Sequence, residues 1–189
     1  MPRLIGRLVA AALLAFAFAF ALPAAAQSKS DPQNTLYLDT PYGRVVILLR
    51  PDLAPQHVER LKTLTREGYY NNVPFHRVID GFMAQTGDGQ YGNGTGGSKY
   101  PNLPAEFSSV PFKRGVVGMA RASSPNSANS QFFIMLDETP SLNGQYTVVG
   151  QVVGGMEFID KIKKGPSSAN GAVTNPDKIV KMQVAADAK

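Results

Sequence analysis

The chain has no cysteine, no tryptophan and only two histidines, His57 and His76, in 189 residues. Without cysteine there is no disulfide framework, zinc finger, iron–sulfur cluster or thiolate nucleophile. Two histidines argue against a multi-histidine metal site. Stability must come from packing, and a chain of this length can bury one sizeable core without a staple. A basic cluster of the kind that nucleic-acid binders carry is also missing. The formal charge is +5, but Arg3 and Arg7 belong to the extreme N-terminus; removing them from the 19 basic residues leaves 17 against 14 acidic ones. Lys161, Lys163 and Lys164 form the densest group, at an expected helix end where cations complement the helix dipole. This composition predicts a mildly basic surface and no nucleic-acid partner.

What is present is a globular composition, 43% hydrophobic. The N-terminus has three parts: a basic stretch containing Arg3 and Arg7, an apolar run from Leu8 to Leu22, and Ala24-Ala25-Ala26 before Gln27. That order predicts a secretory signal peptide over 1–26, cleaved after the small residues. The run is near the lower limit for spanning a bilayer, and the Pro23-Ala-Ala-Ala exit favours cleavage over anchoring. Residues 27–34 read as a polar linker into a domain over 35–187. The expectation is a periplasmic or secreted protein with no stable membrane insertion once cleaved. No long exposed apolar stripe argues for a dimer, so a monomer is expected.

In that domain, Thr35–Asp39 and Arg44–Arg50 read as strands, with Pro41-Tyr42-Gly43 as the turn of a hairpin. Pro55–Glu67 reads as a helix, with Pro55 in its first turn, Val58, Leu61 and Leu64 at helical spacing and Gly68 as its stop. His57, in the first turn, reads as a solvated residue. Short strands are expected over 75–79, 82–86, 116–121, 131–135 and 147–153, then a helix over 155–164 and a last strand over 178–185. Many short strands and two helices predict a mainly β fold, a closed antiparallel barrel capped by two α-helices.

Strand alternation groups the polar residues with apolar ones. Arg77 shares a face with Phe75, Gln85 with Met83, and Gln131 with Phe133, while Ala84 and Phe132 point the other way, into the barrel. An outer face carrying Met, Phe, Gln and Arg suits a shallow apolar pocket with a polar edge. His76 has no neighbouring nucleophile in sequence and reads as a structural or pocket-edge residue. Gly92–Lys99 lacks the Gly-Lys-Ser/Thr order of a phosphate loop and reads as a flexible glycine-rich loop beside the site. The serines between Ser123 and Ser127 read as a polar turn, with no histidine and acid arranged to make one a nucleophile.

Three blocks carry a resemblance. The segment Tyr-Asn-Asn-Val-Pro-Phe-His-Arg-Val-Ile-Asp-Gly-Phe-Met-Ala-Gln-Thr, from Tyr70 to Thr86, resembles the cyclophilin family throughout. Gly118-Met-Ala-Arg121 through Asn129-Ser-Gln-Phe-Phe-Ile134 resembles the same family's second block, and Leu142-Asn-Gly-Gln-Tyr-Thr-Val-Val-Gly150 its third. With the flanking strands the likeness covers roughly 35 to 185, and it implies an eight-stranded barrel with peptidyl-prolyl cis-trans isomerase activity. It implies Arg77 as donor to the prolyl nitrogen, and Phe82, Met83, Phe133 and Leu142 as the proline pocket. Gln85 and the backbone near Arg121 would hold the substrate chain, Ala120 and Gln131 would border the neighbouring subsite, and Tyr146 stands where the family often has His. The reaction breaks no bond, so no metal or other cofactor is expected. The partners implied are proline-containing peptides and unfolded exported proteins. Ser141 stands where cyclosporin-sensitive members have Trp, so weak cyclosporin binding is expected. A proline-peptide binding module or chaperone, with incidental isomerase activity, is the alternative that the same pocket allows.

Overall fold

The computed structural model describes residues 31–189; the expected signal peptide and the first part of the expected linker lie outside the described residues. The linker's last residues are tied to the domain. Asp31 caps a 3-10 turn over Pro32–Asn34, and Arg66 donates to the Gln33 side chain at 3.0 Å.

Among the described residues, eight strands form one antiparallel sheet: β1 (Thr35–Thr40), β2 (Gly43–Leu49), β3 (Arg77–Ile79), β4 (Met83–Thr86), β5 (Val116–Met119), β6 (Phe132–Met135), β7 (Val148–Gly154) and β8 (Lys181–Val184). Their order in the sheet is β3-β4-β6-β5-β7-β2-β1-β8. The mainly β fold and the strand count are as expected. Closure is not: the end strands β3 and β8 share no ladder among the described residues, and the sheet curls into an open half-barrel. Between the two ends runs the segment 171–179, held by single contacts such as the Pro74–Lys178 bridge and the Phe75 N–H to Asp177 carbonyl bond of 2.9 Å.

Helix α1 (Pro55–Arg66) begins on proline and ends before Gly68, whose φ of +71° stops the helix. It lays Val58, Leu61 and Leu64 into the core with Leu36, Leu38, Ile47 and Phe132. Helix α2 (Met156–Asp160) is half the expected length, because the Lys163 N–H turns to the Asp177 carboxylate and Gly165-Pro166 follows. Ile159 and Ile162 still reach the core.

His57 corrects the sequence reading. It is 0% exposed, and its Nδ1 lies 2.6 Å from Glu106 Oε2. The same carboxylate accepts from the backbone N–H groups of Gln56 and His57, so a residue from a distant loop caps the first turn of α1. Burial lowers the His57 pKa, with Glu106 opposing.

Strands β5 and β6 are buried on both faces, and β4 is buried except at Gln85. Ala84, Val117, Met119, Phe132 and Ile134 face the main core. Met83, Val116, Phe133 and Met135 face outward into a second cluster, closed by Phe112 and partly by Leu142 and Tyr146. This second cluster is the platform of the site.

Candidate functional site

One row of outward positions crosses four strands. Arg77 on β3 pairs in register with Gln85 on β4, Gln85 with Phe133 on β6, and Phe133 with Gly118 on β5. The last position must be empty of side chain. A Cβ on Gly118 would lie 2.6 Å from both Phe112 and Phe133, whose rings stack over it with centroids 5.7 Å apart. The Tyr146 ring stands edge-on to Phe133 at 5.7 Å and forms a wall.

These residues enclose a cavity of about 110 Å³ lined by Arg77, Phe82, Met83, Gln85, Ala120, Arg121, Phe133, Leu142 and Tyr146. Nine of the ten residues singled out from the sequence therefore meet at one place. The tenth, Gln131, lines an adjoining, more polar cleft of about 410 Å³, which shares Gln85, Ala120 and Arg121 with the first. Arg121 contributes more than its backbone. Its Nε and Nη2 donate to the Gln145 carbonyl at 3.2 and 3.1 Å, and its guanidinium carbon sits 4.6 Å from the Tyr146 ring centre. It thus braces the Tyr146 wall.

The polar edge is a relay of side-chain bonds. Arg77 Nη1 donates to Gln85 Oε1 at 3.2 Å, and Gln85 Nε2 donates to Gln131 Oε1 at 3.0 Å. Gln131 Nε2 then donates to the carbonyls of Gly94 and Gly96 at 3.0 and 2.8 Å. The half-buried Arg77 guanidinium has its pKa drawn down by burial, with Tyr146 nearby opposing. It still holds its charge at any ordinary pH.

The glycine-rich loop lies beside the site, as read, but on an anchor that the sequence reading missed. The fully buried Asp88 carboxylate accepts from the N–H groups of Gln90, Tyr91, Asn93, Gly94 and Gly96. Burial would raise its pKa; the bonds from Tyr91, Gly96 and Gly94 outweigh that and bring it to about 2. His76 is buried beneath this loop: a Cβ on Gly94 would lie 2.9 Å from its ring. It is not among the residues lining either cavity. Asp88 carried no signal in the sequence, and Gly118 stood in the second block without its role being visible, because each acts through partners distant in the chain.

Fold and site together define a mainly β protein with a shallow apolar pocket edged by one guanidinium. The family model described as Cyclophilin type peptidyl-prolyl cis-trans isomerase/CLD matches residues 35–184. The chain is 59% identical over 193 residues to a probable peptidyl-prolyl cis-trans isomerase of Brucella suis, covering 96% of this chain and 98% of that one. It is 38% identical over 150 residues to a peptidyl-prolyl cis-trans isomerase-like 1 of Aspergillus fumigatus, covering 77% and 92%. Among solved structures it resembles the cyclophilin AquaCyp293 from Hirschia baltica, with a TM-score of 0.76, 27% identity and coverage of 85% and 77%. A cyclophilin-type isomerase of Cryptosporidium parvum, crystallised in the presence of the dipeptide Ala-Pro, gives a TM-score of 0.73 with 30% identity and coverage of 79% and 98%. The chain belongs to the cyclophilin-type peptidyl-prolyl cis-trans isomerases.

Proposed function

We propose that Arg77 is the catalytic residue, and that it acts by donating to the prolyl nitrogen as the peptide bond twists. The observation that carries this reading is a charged guanidinium at the rim of an apolar cavity floored by Phe133 and walled by Tyr146. Amide resonance sets the rotation barrier at about 18–20 kcal/mol. In the twisted state resonance is lost and the nitrogen becomes pyramidal and basic, so a donor aimed at it stabilises that state over either planar one. No bond breaks, and no nucleophile or metal is needed. Lowering the barrier by about 7 kcal/mol corresponds to an acceleration of about 10⁵.

In this reading Phe82, Met83, Phe133 and Leu142 hold the proline ring, and Gln85 and the backbone near Arg121 hold the substrate chain. Ala120 and Gln131 border the subsite for the residues before proline. A site that grips mainly the ring tolerates varied sequences, which suits unfolded proteins as substrates. The N-terminal pattern of residues 1–26 supports export, so the substrates are X–Pro bonds in proteins folding in the periplasm or outside the cell, acted on by a monomer.

Two measurements test this. A protease-coupled assay on an Ala-Pro peptide should show isomerase activity that Arg77→Ala lowers by orders of magnitude. Fractionation of cells expressing the full chain should find a form shortened by about 26 residues outside the cytoplasm, the length the signal pattern predicts. A full-length cytoplasmic product would refute the export role.

A further inference from the structure

Arg77 is held from a third side, by a loop far along the chain. Its Nε donates to the Asn170 carbonyl at 3.1 Å, and its Nη2 to Asn170 Oδ1 at 3.0 Å. Backbone and side chain of one residue thus grip two nitrogens of the guanidinium, while Gln85 holds the third.

The loop carrying Asn170 is itself fixed to β3. Val78 donates to the Gly171 carbonyl at 2.9 Å, Gly165 donates to the Val78 carbonyl at 3.0 Å, and Val173 donates to the His76 carbonyl at 3.0 Å. Residues 165–173 therefore run as a strap along the free edge of β3. A 3-10 turn over Ser167–Ala169 ends on Asn170 in the left-handed region, at φ +51°. Asparagine adopts that conformation more readily than most residues. Gly171 lies so close to β3 that a Cβ there would collide with Ile79. The strap accordingly fixes both the carbonyl and the side-chain oxygen of Asn170 relative to the catalytic strand.

An inventory of donors shows the consequence. A guanidinium has five N–H groups. Asn170 takes the Nε–H and one on Nη2, and Gln85 takes one on Nη1. Among the described residues, the remaining Nη1 hydrogen has only the thioether of Met83, 3.9 Å away and a weak acceptor. The N–H groups left to a substrate are one on Nη1 and one on Nη2. Asn170 and Gln85 between them fix the plane in which those two lie.

The geometry points to Asn170 as a positioning residue for the isomerisation, one that preorganises Arg77 through a two-point grip; this rests on the catalytic reading of Arg77. A donor that must meet a transient, twisted nitrogen depends on orientation, and the loss of one anchor falls on turnover rather than on binding of the planar substrate.

The test compares the full chain with Asn170→Gly, Asn170→Asp and Arg77→Ala. Glycine keeps the left-handed backbone and the carbonyl but removes Oδ1; aspartate keeps the oxygen. Asn170→Gly should lower kcat about tenfold with KM within about twofold, and Asn170→Asp should recover most of the lost turnover. The Arg77 Nη2–H proton resonance, held by the bond to Asn170 Oδ1, should broaden in Asn170→Gly and return in Asn170→Asp, while the Nε–H, bonded to the retained backbone carbonyl, stays in place. Unchanged kcat in Asn170→Gly, alongside an inactive Arg77→Ala, overturns the role of Asn170 and leaves that of Arg77 standing. Full activity in Arg77→Ala overturns the catalytic reading itself. If Asn170→Gly fails to fold, Asn170→Asp decides: a loss of kcat without recovery refutes the grip.

Discussion

Arg77 and Gln85 face each other across the β3–β4 ladder, and their side chains meet at 3.2 Å on the side that opens into the pocket. The pairing sets one edge of the guanidinium and links it, through Gln131, to the glycine-rich loop. A hydrogen bond to a charged group is worth about 1.5–3 kcal/mol. Gln85→Ala should therefore lower kcat/KM by at least about tenfold in a protease-coupled assay. Activity unchanged in that variant would remove Gln85 from the account.

Gly118 tests the pocket floor independently of Arg77. Alanine at this position would drive a methyl group against Phe112 and Phe133. Overpacking of this kind costs about 1–3 kcal/mol. Gly118→Ala should raise KM for Ala-Pro peptides and lower the urea midpoint together. If both stay at the wild-type values, the stacked rings do not form the floor described.

Stability should fall on acidification in two windows. Burial lowers the pKa of His57, with Glu106 opposing, and that of His76, with Asp88 opposing. The unfolded chain then takes up these protons first, so stability declines as pH falls below the unfolded value of about 6.5. Asp88 works in the other window. Its folded pKa of about 2 lies below the ordinary 3.8, so it stabilises the fold above pH 3.8 and loses that contribution as pH falls toward 2. Urea midpoints measured across both windows should fall in each, and Asp88→Asn should flatten the lower one. A midpoint constant between about pH 7 and 5 would contradict the histidine part.

The contrast between Arg77 and Asn170 shows how far the sequence could be read. Met83, Gln85 and Phe133 lie on short strands, where a two-residue period tells which side chains share a face, and that row was legible from the pattern alone. Arg77 and the rest of the pocket lining were legible through the resemblance to the cyclophilin family; the period placed Phe75 on the face of Arg77, but Phe75 is buried in the main core. Asn170 meets Arg77 across 93 residues, and Glu106 meets His57 across 49, both from irregular loops without periodicity. The buried His57 was accordingly read as solvated. Sheet closure failed for a related reason. Strand count and pattern are local, whereas closure depends on how two ends meet, and here they meet through the loop 171–179. Gly118 matters through the side chain it lacks, which no motif displays until Phe112 is placed opposite.

Ser141 governs a further expectation. It is exposed on the 3-10 turn Pro140–Leu142, beside the pocket residue Leu142. In family members sensitive to cyclosporin the resemblance puts Trp there, and serine supplies neither the ring area nor the indole donor. Calorimetry should give a Kd for cyclosporin weaker than about 1 µM. A sub-micromolar value would show that the turn binds the macrocycle by other contacts.

The most direct test of the central claim separates rotation from binding in Arg77→Ala. NMR exchange on an Ala-Pro peptide would report the isomerisation rate on the protein, and peptide titration would report affinity on the same samples. The account predicts a rate lower by about 10²–10³ or more, comparable to removal of a transition-state donor, with peptide affinity changed by less than about fivefold. A variant that binds as before and still isomerises at the wild-type rate would contradict it.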